Sequence, residues 1–196
     1  MKELHFITHN IHKYEEASEI AKDFKIPIKW LNVEYEEIQE NELELIALTS
    51  CKNLLNKKPE LRNKHFFAED AGLFINTLKG FPGPFSAYVF QTIGNEGILR
   101  LMENEENKEA YFKSVIAVYY NNKIELFVGE TRGSILLEKH GKKGFGFDPI
   151  FVPTGEEQSF AEMSLTTKNL YSHRQKSLRE MFTSLTAFEN KSISGE

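Results

Sequence analysis

The residues Thr8-His9-Asn10 and Lys13 stand where a predicted strand runs into a predicted helix. If Asn10 caps this helix, Lys13 falls in its first turn, where the positive end of the helix dipole repels a cation. The backbone N–H groups of such a turn, together with Lys13, have the donors that bind a phosphate. A lysine that simply extends into water is the alternative explanation, and the spacing alone leaves both open.

Two further basic residues fall on the apolar stripes of predicted helices. Lys52 shares helical spacing with three leucines, Leu45, Leu48 and Leu55. It therefore faces either a cleft at the sheet edge or the rim of the core, where its ammonium reaches water. Arg174 precedes Leu178 by one turn at the start of the last helix, so we expect it to point inward beside His173. An exposed pair of residues near a helix start is the alternative there.

Two carboxylates, Glu69 and Asp70, follow the apolar residues 66–68 of a predicted strand. Neighbours on a strand face opposite ways, so only one of the two can serve a given site. Asp70 precedes Ala71-Gly72, whose small side chains let a ligand approach the backbone. An acid from the run 34–44 could join Asp70 in holding Mg²⁺, which takes one or two carboxylates together with phosphates and water. Pairing of Asp70 with a basic residue is the structural alternative.

The segment Gly144-Phe145-Gly146-Phe147-Asp148-Pro149 places two aromatic rings in a glycine-rich loop. Such rings can stack on a nucleobase, or they can fold onto the core. With the cations and carboxylates above, they suggest a site for a nucleotide that carries a polyphosphate. The chain has no Walker-type phosphate loop, no dinucleotide fingerprint, no zinc-ligand spacing and no serine-nucleophile elbow.

The elements that must position these residues begin in a βαβαβ order. Apolar periodicity predicts strands over 4–8, 27–33 and 65–69 and helices over 11–24 and 41–56, the second helix opened by an Asn41-x-x-Glu44 capping box. A further strand is predicted over 73–78, a hairpin over 110–131 with its turn at Asn121-Asn122, a short helix over 97–102, and a last helix capped by Ser172. The fold class is α/β, a mixed sheet with flanking helices.

Composition excludes several classes of protein. The chain has 196 residues with 24 Lys+Arg and 29 Asp+Glu, so its formal charge is −5 and no basic block marks a nucleic-acid or membrane partner. Its single cysteine, Cys51, reads as a small buried hydrophobe in a reducing compartment. No apolar run is long enough to span a membrane and no leader is evident, so we expect a soluble cytoplasmic protein.

Five blocks of the sequence occur in a familiar order. They are 8–13 (THNIHK), 68–72 (AEDAG), 80–86 (GFPGPFS), 144–151 (GFGFDPIF) and 160–174 (FAEMS through Lys168 to SHR). Together they resemble the inosine/xanthosine triphosphate pyrophosphatase family, especially its archaeal branch, over nearly the whole chain.

The resemblance implies a Mg²⁺-dependent hydrolase that converts ITP, dITP and XTP to the monophosphate and pyrophosphate. It implies a single two-lobed domain over 1–196, with a long twisted mixed sheet and a central cleft, which forms a homodimer. By matching position, Asp70 would bind Mg²⁺ and act as general base. The substrate would meet residues of four of these blocks and Lys52, namely Thr8, His9, Asn10, Lys13, Lys52, Ala71, Phe145, Gly146, Phe147, Asp148, Lys168, His173 and Arg174.

The chain also departs from the family pattern. His9 stands where the family usually has Gly, Ala71 where Ser or Thr is common, and Ala87 where a basic residue is often found. Glu37 is the best match for the second metal carboxylate, while Glu40 fits a different gap length. The departures motivate a second hypothesis, a nucleotide-binding sensor that has lost catalysis. A GTPase-like switch is a third, which the missing phosphate loop argues against.

Overall fold

The computed structural model describes residues 3–35 and 38–194 of the chain. Within these residues lie seven strands and six α-helices. In chain order they are β1 (Leu4–Ile7), α1 (Ile11–Asp23), β2 (Ile28–Leu31), α2 (Leu43–Lys57), β3 (His65–Ile75), β4 (Pro82–Gly83), α3 (Ser86–Thr92), α4 (Gly94–Met102), β5 (Glu109–Tyr120), β6 (Lys123–Ile135), β7 (Phe151–Pro153), α5 (Leu165–Tyr171) and α6 (His173–Ser194). Glu37, the predicted second metal ligand, lies outside the described residues.

The strands form one mixed sheet in the order β2-β1-β3-β5-β6-β7, with β4 paired to β3. Strand β1 runs parallel to β2 and β3, as the predicted βαβαβ beginning requires, and the remaining pairs are antiparallel. The α/β fold class and the mixed sheet are thus confirmed. The β5–β6 hairpin turns at Asn121 and Asn122, whose φ values of 48° and 62° fit a tight hairpin turn.

Strand β3 joins the two strands predicted over 65–69 and 73–78 into one. Gly72 lies in its interior, and a Cβ there would stand 2.2 Å from the carbonyl oxygen of Gly83 on β4. The glycine therefore allows β4 to pack closely against β3 and does not end the strand. As a result Glu69 and Asp70 lie in mid-sheet.

Helix α2 differs from its prediction in two respects. Glu42 is its N-cap without a side-chain hydrogen bond, so the Asn41 capping box is wrong. The buried face comprises Leu43, Ile46, Ala47, Ser50, Cys51 and Leu54. Leu45 is 42% exposed and Lys52 is exposed, so the predicted apolar stripe is wrong by about one position. Cys51 is buried as expected, and burial raises the pKa of its thiol to about 12.

The two faces of the sheet carry different helices. Phe67 packs with residues of α1 and α6, whereas Phe66 and Ala68 pack with residues of α2. Because side chains alternate along a strand, Glu69 faces α1 and α6, and Asp70 faces α2. In the part of the chain that the structure describes, no helix has the length and apolar character needed to cross a membrane.

Candidate active site

The turn between β1 and α1 is organised by its own side chains. Asn10 caps the helix, its side-chain oxygen accepting hydrogen bonds from the N–H groups of His12 at 3.0 Å and Lys13 at 3.4 Å. The hydroxyl of Thr8 accepts the N–H of Asn10 at 3.1 Å. The predicted cap at Asn10 is confirmed, and it places Lys13 in the first turn of α1.

Lys13 connects this turn to the centre of the sheet. Its Nζ donates a hydrogen bond to the backbone oxygen of Glu69 at 3.2 Å and lies 3.7 Å from the Glu69 carboxylate. The lysine side chain is still 17% exposed, so it can also reach a ligand in solvent. The turn and the strand that carries Asp70 therefore lie side by side.

Glu69 is fully enclosed by donors. Its carboxylate accepts hydrogen bonds from Arg174 Nε at 2.8 Å and from the Ser114 hydroxyl at 2.7 Å. Burial alone would raise its pKa, but the positive charges of Arg174 and Lys13 outweigh it and lower the pKa to about 2. The side chain is therefore ionised at neutral pH and holds Arg174 against the sheet.

Glu16 of α1 extends this network. Its carboxylate accepts hydrogen bonds from Arg174 and, at 2.7 Å, from Lys168 Nζ, which also contacts Asp148 at 2.6 Å. Burial would raise the pKa of Glu16, yet Arg174 and Lys168 lower it. For Lys168, burial would lower the pKa, but the two carboxylates raise it. The cluster of Lys13, Arg174 and Lys168 with Glu69, Glu16 and Asp148 has balanced charge, and we call it the ionic network.

Sequence reasoning missed Glu16. A signal was present, because Glu16 lies three residues after Lys13 and four before Ile20, on the inward side of α1. A buried acid at such a position requires cationic partners. The inward direction of Arg174, by contrast, is confirmed, since its side chain is only 2% exposed.

The two phenylalanine rings of the glycine-rich loop lie in different surroundings, one beside the ionic network and the other in the core. The Phe145 ring lies 4.9 Å from Lys168 Nζ and 5.5 Å from the Arg174 guanidinium carbon, and it stacks on His12 at 5.6 Å. Phe147 is buried and meets Phe90 edge-on. Thus Phe145 covers the cations of the ionic network, while Phe147 anchors the loop in the core.

The backbone around Phe145 is held from both sides. Asp148 accepts the N–H of Phe145 at 2.9 Å, and Asn95 donates to the carbonyl oxygen of Gly146 at 3.2 Å. Gly144 has a φ of 71°, and a Cβ there would lie 2.1 Å from the Asp148 carboxylate. A larger residue at Gly144 would displace the carboxylate that binds Lys168.

His173 lies beside Arg174 beneath the sheet. Its ring stacks on Phe112 at 4.8 Å, and its buried Nδ1 has no hydrogen-bond partner among the described residues. Burial, aided by the positive charge of Arg174, lowers its pKa well below the usual value for histidine. The imidazole is therefore neutral at physiological pH.

Asp70 lies on the other face of β3 and is partly exposed. Its Oδ1 accepts the N–H of Ala71 at 2.9 Å. Lys52 is exposed on α2, and within the described ranges no hydrogen bond or ion pair joins it to another predicted site residue. Glu40 is also exposed.

The carboxylate of Asp70 suits Mg²⁺ better than it suits a metal that protein ligands enclose. No group of three or more His, Cys, Asp or Glu suited to a metal occurs within residues 3–35 and 38–194. Mg²⁺ commonly needs only one or two carboxylates, because phosphates and water complete its octahedral shell. Asp70, a partly exposed carboxylate on the strand beside the β1–α1 turn, could supply one such ligand.

The lowered pKa of Glu69 leads us to expect that the protein loses stability in acid. Its pKa is about 2 in the folded protein against 4.5 for the free side chain, so its stabilising charge is fully present above pH 4.5 and is lost as the pH falls towards 2. The free energy of unfolding should drop by about 3 kcal/mol over this window. Urea unfolding at a series of pH values measures the drop.

Glu69→Gln should flatten this pH dependence, because the variant has no proton to take up at position 69. The partly exposed acid Glu19, which pairs with Lys22, supplies the matched control Glu19→Gln. The same acid sensitivity in both variants would contradict the assignment.

Comparison with known proteins adds an independent result. The model of the Ham1 family matches residues 4–184. A dITP/XTP pyrophosphatase of Pyrococcus horikoshii is 49% identical over 177 residues, which cover 90% of this chain and 93% of that protein. A dITP/XTP pyrophosphatase of Thermococcus kodakarensis is 45% identical, with coverage of 90% and 94%.

Solved structures give the same result for the fold. A HAM1 protein from Coxiella burnetii superposes with a TM-score of 0.80 at 27% identity, covering 95% of this chain and 100% of that chain. The Ham1 protein of Staphylococcus aureus gives a TM-score of 0.79 at 25% identity, with coverage of 95% and 99%. The similarity therefore includes both the parallel and the antiparallel parts of the sheet.

Proposed function

The chain belongs to the Ham1 family, and from this membership we propose that it hydrolyses dITP, ITP and XTP to the monophosphate and pyrophosphate. The reaction would remove deaminated purines from the nucleotide pool. The ionic network is the observation that supports the proposal best, because Glu69 joins the β1–α1 turn at Lys13 to Arg174. Through Glu69, the turn proposed for the polyphosphate is joined to the cations proposed for the base.

The polyphosphate would bind at the β1–α1 turn. Among the described residues, the N–H groups of His9 and Ile11 have no hydrogen-bond partner. By contrast, Thr8 accepts the N–H of Asn10, and Asn10 accepts those of His12 and Lys13. These N–H groups, the helix dipole and Lys13 all favour an anion at the same place. Lys52 would meet a terminal phosphate from α2.

Asp70 would act as the general base on water and, with Glu37 as the second carboxylate, as a ligand of Mg²⁺. When bound, Mg²⁺ would neutralise charge on the phosphates and on the departing pyrophosphate. Asp70 takes the proton of the attacking water, and Lys13 balances the charge that develops on the phosphoryl oxygens. Ala71 would contribute through its backbone N–H, which the Asp70 Oδ1 accepts at 2.9 Å.

The purine would be recognised by the other half of the site, where Phe145 would stack on it and Lys168 and Arg174 would donate hydrogen bonds to it. Both cations are hydrogen-bond donors only. They therefore favour the 6-oxo group, which is an acceptor, over the 6-amino group of adenine. Each such mismatch costs roughly 1–3 kcal/mol, which makes ATP a poor substrate.

We also propose a homodimer in the cytoplasm. The segment 81–101 carries six large apolar side chains that are 38% exposed or more, namely Phe81, Phe85, Tyr88, Phe90, Ile93 and Leu101. A second copy of the chain would remove this surface from water. Sedimentation equilibrium should then give about twice the monomer mass of 22.7 kDa, and Tyr88→Glu should shift the protein towards monomer.

One assay tests the proposed activity. The protein is incubated with Mg²⁺ or EDTA and with ITP, dITP, XTP, GTP or ATP, and pyrophosphate and orthophosphate are measured separately. We expect pyrophosphate from the first three substrates, and none with EDTA. Binding of ITP without product would favour the sensor, which no present observation supports, and orthophosphate would favour a GTPase-like reaction.

A further inference from the structure

We propose that the side chain of His9 binds the substrate polyphosphate through its Nε2 atom, as a contact additional to the backbone groups of the turn. The inference rests on the proposed function, because it concerns the phosphate half of the same site. His9 is exposed and lies one residue before the helix cap Asn10, within the turn itself.

The imidazole is fixed by two contacts from the chain that follows β2. His9 Nδ1 lies 2.8 Å from Asn32 Oδ1, and the ring stacks on Tyr35 with 5.8 Å between the centroids and 20° between the planes. An amide oxygen only accepts hydrogen bonds, so Nδ1 carries the proton and donates it to Asn32. The ring orientation is therefore set before any ligand arrives.

The opposite nitrogen is left for a ligand. Nε2 of His9 has no hydrogen-bond partner within the described part of the chain. With the proton on Nδ1, Nε2 of the neutral ring only accepts and cannot bind an ionised phosphate oxygen, so the contact requires the protonated ring, in which Nε2 is a charged donor. Because Nδ1 already holds the His9 ring to Asn32, the side chain would lose little conformational freedom when a phosphate binds at the turn.

Two substitutions separate the roles of the nitrogens. Asn at position 9 reproduces the donor at the Nδ1 position and keeps the bond to Asn32, but it has no group at the Nε2 position. Gln places an amide nitrogen near the Nε2 position. We expect His9→Asn to raise KM for ITP at least about tenfold with a small change in kcat, and His9→Gln to recover most of the loss.

A product comparison identifies the part of the substrate involved. His9→Asn should raise the inhibition constant of inorganic pyrophosphate about as much as it raises KM, and should leave that of IMP within about twofold. His140→Gln, in an exposed histidine near Glu138, is the matched control and should behave as wild type. Thermal melting of each variant excludes loss of fold as the cause.

Equal KM values for wild type and His9→Asn, or equal losses in His9→Asn and His9→Gln, would overturn the proposal. Failure of the proposed function is a separate result, because it appears in the wild-type protein as no release of pyrophosphate from ITP. In that event calorimetric titration with pyrophosphate still compares the two variants. Equal pyrophosphate affinities would then reject the His9 contact on its own.

Discussion

Asp70→Asn is expected to lower kcat for ITP by at least about a thousandfold with little change in thermal stability. General-base catalysis alone contributes about 10²–10⁴, and loss of a charged Mg²⁺ ligand adds to it. Asparagine has nearly the same size and can still accept the Ala71 N–H at Oδ1, so the strand should be undisturbed. Steady-state release of pyrophosphate measures the loss.

Asp23→Asn provides the matched control for this substitution. Asp23 is an exposed carboxylate of α1 that pairs with Arg179, and its side chain is 57% exposed. We expect its kcat to equal that of wild type, because exposed ion pairs contribute little. Near-normal turnover of Asp70→Asn would remove Asp70 from the catalytic role.

Glu16→Ala is expected to lower the free energy of unfolding by about 3–5 kcal/mol, since it leaves a buried excess of positive charge. Arg174 would retain Glu69 and Lys168 would retain Asp148, but the ionic network would hold three cations and two carboxylates. This loss is a large share of the roughly 5–15 kcal/mol that stabilises a typical domain. Urea denaturation followed by circular dichroism measures it.

Glu19 stands one turn later on the same helix and offers a strict comparison. Its side chain is 40% exposed and pairs with Lys22 at 2.5 Å, so Glu19→Ala should cost no more than about 0.5 kcal/mol. Because both variants carry the same backbone change, their difference isolates burial. If the two unfold at the same urea concentration, the ionic network contributes no more than surface charge does.

Local patterns in the sequence predicted the elements well. The cap at Asn10, the Asn121-Asn122 hairpin and the inward direction of Arg174 are all confirmed, since each depends on residues a few positions apart. The predicted buried face of α2 was wrong because the five leucines of that helix lie on more than one side of it, and periodicity could not tell which side the sheet would cover.

For the site residues too, some properties follow from the sequence and others only from the packing. The types and order of the charged residues, the mixed α/β fold and the family could all be inferred from the sequence. The tertiary structure alone decided that Glu16 lies between Arg174 and Lys168, more than 150 residues away, and that Glu69 and Asp70 face opposite sides of the sheet. Such contacts depend on how helices pack across the sheet, because charge balance in a buried cluster is set by spatial neighbours, which local spacing does not encode.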